Sequence, residues 1–185
     1  MDFLNYEFLG NSITDYLYFS ASFLIGLLLI IPIRLFISKL LFKLFGKDND
    51  QNDNEKFNSL LKKPLQYFLT LLVLYFSVQF VSLPEFLSST EEGGLNLVEY
   101  FDKGYNLLLL ITIFWTIIRS VDFIGFKLKN KALKTESKVD DQLIPFAIDI
   151  AKVLTIVLAL VMILGNVFDV NVTALVTGLG IGGVA

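Results

Sequence analysis

PLQYFLTLLVLYFSVQFVSL, residues 64–83, decides the fold class: it is a run of about 20 residues without a charged side chain. As an α-helix rising 1.5 Å per residue it reaches about 30 Å, the thickness of a bilayer's hydrocarbon core. Pro64 suits the first turn of such a helix, where its missing N–H costs nothing, and Pro84 closes it. Similar apolar blocks lie on either side. Upstream, one runs from about Tyr16 to Ile33 and passes into Arg34, Lys39, Lys43 and Lys47. Between the two lies GKDNDQNDNEKFN, residues 46–58, whose Asn and Asp content reads as a solvated loop. Downstream, the acidic stretch Glu85 to Lys103 surrounds a Gly93-Gly94 break. A third helix is predicted from about Tyr105 to Phe126, with Trp115 in its middle as a packing residue. It runs out into Lys127, Lys129, Lys131, Lys134 and Lys138. A fourth starts at Asp140 or Asp141, either of which can cap it, and continues to about Phe168. An Asp169-Val170-Asn171 turn then leads to a last segment, Val172 to Ala185. The expectation is an all-α membrane protein with about five transmembrane helices and no internal repeat.

Composition agrees: 55% of the 185 residues are hydrophobic and 18% charged, and the apolar ones are gathered in blocks. A net charge of −3 supplies no general basic surface, which argues against nucleic acid as a partner. With neither His nor Cys, the chain has no imidazole or thiolate metal site, no Cys or His catalysis and no disulfide. No set of residues looks catalytic, and no cofactor is expected. The stretch from Met1 to Asp15 carries Asp2, Glu7 and Asp15 but no Lys or Arg, so it lacks the basic start of a cleaved signal peptide. The first apolar block is therefore read as a retained anchor.

Thirteen of the fifteen Lys and Arg fall in residues 34–64 and 119–142. If both regions are cytoplasmic, the outer segments keep only Lys103, a positive-inside pattern that puts the N-terminus outside and sends the fifth segment toward the cytoplasm. Arg119 and Asp122 lie three apart on one helical face, as do Asp149 and Lys152, so each can form a pair within its own helix. All four sit in the cytoplasmic thirds of their helices, where long side chains snorkel to headgroups. Arg119, Lys127 and Lys152 are accordingly expected at the lipid interface. An ion or proton relay is the competing reading.

The last segment, VTALVTGLGIGGVA, spans about 21 Å as a helix and stops short of the far side of a bilayer, so the chain is read as truncated within it. Gly178, Gly180, Gly182 and Gly183 each cost about 1 kcal/mol in a helix interior unless close packing compensates. At about 100° per residue, Ala174, Gly178, Gly182 and Ala185 form one ridge of small residues, and Thr173, Thr177 and Gly180 a second. Ile181 and Val184 lie between or beside the ridges, and Leu175, Val176 and Leu179 occupy the opposite face. Two small ridges suit a helix with a neighbour on each side, as in a ring. An ordinary small-residue contact inside a compact bundle accounts for the same glycines.

The stretch KLKNKALKTESKVDDQLIPFAIDIAKVLTIVLALVMILGNVFDVNVTALVTGLGIGGVA, residues 127–185, resembles the small-conductance mechanosensitive channel (MscS-like) family. The matching features are a basic linker with Lys138-Val139-Asp140, an apolar helix, a short polar turn, and a Gly/Ala helix entered through Asn-Val-Thr-Ala. The resemblance implies a homo-oligomer of seven subunits with this last helix lining a pore. Val184 then matches the first constricting position, where the family usually has Leu, and Ile181 also faces the axis, at a position where the family often has a small residue. Ala174, Thr177, Gly178, Gly180, Gly182, Gly183 and Ala185 serve helix packing. It implies a division into outer, sensor-like helices at 1–126 and a paddle helix with the start of the pore helix at 127–185. The implied function is a mechanosensitive ion channel subunit in a cell membrane, such as a bacterial inner membrane, with lipids as partners. Such a channel opens under tension and releases ions and small solutes on hypo-osmotic shock. A secondary transporter and a non-conducting membrane scaffold are the alternatives.

Overall fold

In a computed structural model, residues 6–45, 51–84, 96–132, 138–174 and 177–178 are described. The chain opens with a two-stranded antiparallel hairpin, β1 (Glu7–Phe8) and β2 (Asn11–Ser12). Ser12 and Asp15 then start the first helix by a reciprocal cap. The Asp15 N–H donates to Ser12 Oγ at 3.3 Å, and the Ser12 N–H donates to the Asp15 carboxylate at 2.8 Å, so two backbone donors at the helix start are satisfied. Four long helices follow among the described residues: α1 (Ile13–Phe45), α2 (Gln51–Val78), α3 (Leu97–Ala132) and α4 (Lys138–Asn166).

Three of them contain spans long and apolar enough to cross a membrane: Ile13–Ile37, Leu97–Ala132 and Gln142–Asn166. α1 is apolar around its whole circumference, yet Leu28 is 73% and Phe36 66% exposed. An all-round apolar helix that is not covered by protein needs lipid as its solvent. The protein is a multi-pass, all-α membrane protein.

α2 departs from the sequence reading at both ends. It begins at Gln51, not Pro64, so residues 51–58 are helical where a solvated loop was predicted, and Pro64 is a buried residue inside the helix. Asp53, Phe57 and Leu61 recur every four residues and so share one face, which packs on α3. That spacing outweighs the loop-like composition of the stretch. At the other end α2 stops at Val78 rather than near Leu83. The Asn11 side chain occupies both backbone groups of Ser82, accepting its N–H and donating to its C=O, each at 2.7 Å, which leaves them unable to extend the helix. With a polar first half and an early end, α2 is not among the three long apolar spans.

α3 is longer than predicted in both directions. Asn96 caps it, its side-chain oxygen accepting the Glu99 N–H at 3.3 Å, and the basic run from Lys127 to Lys131 continues the helix. α4 begins at Lys138, two or three residues before its predicted start, so Asp140 and Asp141 lie within its first turn rather than capping it, and it ends at Asn166, two residues early. The turn at 169–171 is as read: Asp169 adopts φ 54°, which lets the Val170 N–H return to the Leu164 carbonyl at 3.0 Å. Residues 172–174 and 177–178 are helical again.

Each helix packs against the next in sequence, and the partners run antiparallel, residue numbers rising on one helix as they fall on the other. Between α1 and α2, Gly26 lies under Val73, and Ile30, Leu65 and Leu69 form a buried cluster. Between α2 and α3 the pairs are Tyr75 on Tyr105 (ring centroids 5.9 Å apart), Tyr67 on Trp115 (6.1 Å), Phe57 edge-on to Phe123 (5.4 Å), and Asp53 with Lys127. The stacking of Trp115 is the packing role its mid-helix place suggested. Between α3 and α4 the partners are Lys103 with Asp169, Asp122 with Lys152, and Gly125 with Ile148.

Candidate functional site: the α3–α4 seam and the turn into the last helix

The last helix is started by Asn171, whose side-chain oxygen accepts the Ala174 N–H at 3.0 Å. Its first residue, Val172, folds back on the end of α4: a Cβ built on Gly165 would lie 3.1 Å from Val172. The turn is also held from the side. Lys103 on α3 reaches Asp169 and Glu99, each at 2.9 Å, so the one base of the predicted outer segments joins α3 to the start of the last helix.

Of the small residues predicted to pack in this helix, Ala174, Thr177 and Gly178 are exposed, and a Cβ added at Gly178 would meet nothing within 4 Å. Thr177 turns its hydroxyl to the Thr173 carbonyl at 2.7 Å, leaving its methyl as the outward group. Gly180, Ile181, Gly182, Gly183, Val184 and Ala185 lie outside the described residues, as do Leu175, Val176 and Leu179.

Deeper along the seam, Asp122 is shared by two cations. Arg119, one turn back on α3, donates to it at 3.1 Å, as its spacing predicted. Lys152 crosses from α4 and approaches the other carboxylate oxygen at 2.5 Å. The expected pairing of Lys152 with Asp149 is therefore corrected: Asp149 is exposed, whereas the half-buried Asp122 offers a stronger field to a cation on an otherwise apolar seam. Gly125, the next turn of α3, admits Ile148, and a Cβ there would overlap the Ile148 side chain. Beside that crossing the seam is open. Val121, Ile124 and Leu128 face Leu143, Ile144 and Ala147 across an apolar groove of about 370 Å³. On the helical wheel this groove lies on the opposite side of Gly125 and Ile148 from Asp122 and Lys152.

Lys127, expected at the lipid interface, turns its side chain into the protein. It is buried in the α2–α3 contact and paired with Asp53, one helical turn from the Phe57–Phe123 contact. The neighbouring Lys56 sits over the Phe126 ring, 5.6 Å from its centroid. Arg119 and Lys152 stay partly exposed, with 43% and 32% of their side-chain surface accessible, so the interface remains open to them. Among the described residues no group of His, Cys, Asp or Glu is placed to hold a metal ion.

The chain is 26% identical to the small-conductance mechanosensitive channel MscMJ of Methanocaldococcus jannaschii over 98% of its length. The chain is similar to a small-conductance mechanosensitive channel. It spans about half the length of that curated relative. No protein-family model matches the chain, and no solved structure does. The relationship reaches well beyond the last third of the chain, where the MscS-like features were legible, and takes in the hairpin and α1 to α3 as well. Sequence reasoning missed the ties from Lys103 to Asp169, from Lys127 to Asp53 and from Lys152 to Asp122. Spacing along one helix carries no record of which helix lies alongside. The one signal available was Asp53, Phe57 and Leu61 at helical period within an Asn-rich run.

Proposed function

We propose that the chain is the membrane part of a mechanosensitive ion channel subunit, which opens under membrane tension and releases ions and small solutes on hypo-osmotic shock. The observation that carries this reading is the relationship to MscMJ along 98% of the chain, including the Gly/Ala segment entered through the Asn171 cap. In this reading α2, packed antiparallel between α1 and α3, is the second of five crossings, and the segment from Val172 is the fifth. Residues 1–126 act as outer, sensor-like helices. Residues 127–185 supply a paddle helix and the start of a pore helix, in a homo-oligomer for which the family suggests seven copies. Ala174 and Gly178 with Gly182 and Ala185 on one ridge, Thr177 with Gly180 on the other, and Gly183 then pack against neighbouring subunits, one on each side, while Ile181 and Val184 face the axis. The N-terminus lies outside a cell membrane and the chain heads toward the cytoplasm after Val172.

The mechanism is physical. Tension does work on any change that enlarges the protein's area in the membrane plane, so it shifts the population toward the wider state. A narrow pore lined by apolar side chains blocks ions by dewetting and conducts once widened. The full-length protein reconstituted in liposomes and patched under graded suction should show stepwise currents whose open probability rises with suction. Assembled oligomer without suction-activated current would overturn the reading.

A further inference from the structure

The N-terminal hairpin is held more firmly than its size would allow alone, since an isolated two-stranded hairpin is marginal in water. Its two-residue loop, Leu9-Gly10, has positive φ at both positions, 51° and 79°, the sign pattern of a type I′ turn. Asn11, only 4% exposed, brackets the backbone of Ser82 and also donates to the Leu9 carbonyl at 3.2 Å. The Tyr16 hydroxyl donates to the Phe8 carbonyl at 3.0 Å, and the Ile13 N–H to the Tyr6 carbonyl at 3.2 Å. The hairpin is thus fastened to the start of α1 and to the strand of chain that follows α2.

What this frame presents is apolar. Tyr6 is 65%, Phe8 59% and Leu9 50% exposed. Leu9 stands in a left-handed conformation that Gly, Asn or Asp adopt at lower cost. Glu7 falls on the opposite face from Tyr6 and Phe8 by strand alternation. Continuity of the chain fixes where this surface lies, because the membrane-crossing span of α1 begins at Ile13, directly after β2. Phe8 is at most about 17 Å of extended chain from that point.

We infer that the hairpin Tyr6–Ser12 is a membrane-surface anchor, with Tyr6, Phe8 and Leu9 set into the headgroup–acyl boundary of the leaflet that α1 enters. Aromatic side chains favour that boundary, and a rigid hairpin inserts them without the ordering entropy a flexible tail would lose. The inference rests on α1 crossing the membrane and is independent of channel activity.

Residues 1–185 contain no cysteine, so with any cysteine elsewhere in the full-length protein changed to Ser, Leu9→Cys and Glu7→Cys can each carry a single environment-sensitive fluorophore, with Phe8→Cys as a second apolar site should Leu9→Cys disturb the turn. The labelled full-length protein is placed in phosphatidylcholine vesicles with or without a nitroxide near the top of the acyl chain. The probe at 9 or 8 should emit to the blue of the probe at 7 and be quenched several-fold more strongly by the nitroxide lipid. Equal quenching at the two faces, weak or strong, would overturn the anchor. So would a blue-shifted but unquenched probe at 9 and 8, which would mean that protein rather than lipid covers the tip.

Discussion

Lys152 of α4 reaches across to Asp122 of α3 at 2.5 Å, and Arg119 holds the same carboxylate from its own helix. Asp122 has only 18% of its side-chain surface accessible, so its charge depends on these partners more than a surface acid would. Reversing one charge, in Lys152→Asp, should destabilise the α3–α4 pair, and the double change Asp122→Lys with Lys152→Asp should recover part of the loss. A coupling energy of about 1–3 kcal/mol is expected from the cycle, read by thermal unfolding in detergent. Strictly additive losses would show that the pair does not join the helices.

Gly125 leaves no room for a larger residue opposite Ile148. Gly125→Val should therefore cost about 1–3 kcal/mol through overpacking, and Ile148→Ala on the facing helix should relieve part of it. Cysteine pairs placed at the Lys103–Asp169 end, where the chain has no cysteine of its own, would report loss of the seam as slower cross-linking in Gly125→Val and its recovery in the double variant.

The Asp53–Lys127 pair makes a different prediction, because both groups are almost fully buried. Lys127→Met leaves Asp53 buried without its partner and should cost about 3–5 kcal/mol, whereas Asp53→Leu combined with Lys127→Met should be near neutral or stabilising. Protease cleavage within residues 51–61 is a local readout. It should rise in the single variant and return toward the parent in the double.

The channel reading bears most sharply on Val184. Made polar, an apolar constriction admits water at lower cost, so Val184→Asn in the full-length protein should open at lower suction or leak at rest. Leu179→Ser, on the face assigned to the outside, should instead affect folding or coupling. Patch recording decides between them, and a leaking Leu179→Ser beside a normal Val184→Asn would mean that the helix is rotated from this orientation. In the same protein, Gly178→Leu should hinder oligomer assembly or raise the opening tension.

The residues explain what could be read in advance. Apolar blocks and their flanking charges mark α1, α3 and α4, because a span must be long and uncharged whatever surrounds it. The Asp169-Val170-Asn171 turn was legible because a polar tripeptide interrupts two apolar helices. The start of α2 was not, since Asn and Asp argue for a loop one residue at a time, whereas Asp53, Phe57 and Leu61 become a helix face only when α3 is there to receive them. Arg119 with Asp122 was legible for the same local reason that Lys152 with Asp122 was not: one pair lies within a turn, and the other depends on how helices are arrayed.

The α3–α4 seam is fastened along one edge and gapes along the other, as a book is held by its spine. A joint of that kind has an easy direction. Separating the open edge parts only apolar side chains that already face a groove, while separating the fastened edge takes Lys152 from the Asp122 carboxylate and leaves it Arg119 alone. A force that parts α3 from α4 therefore meets less resistance at the open edge than at the fastened one, and the Lys103–Asp169 tie joins the same seam to the turn from which the last helix departs.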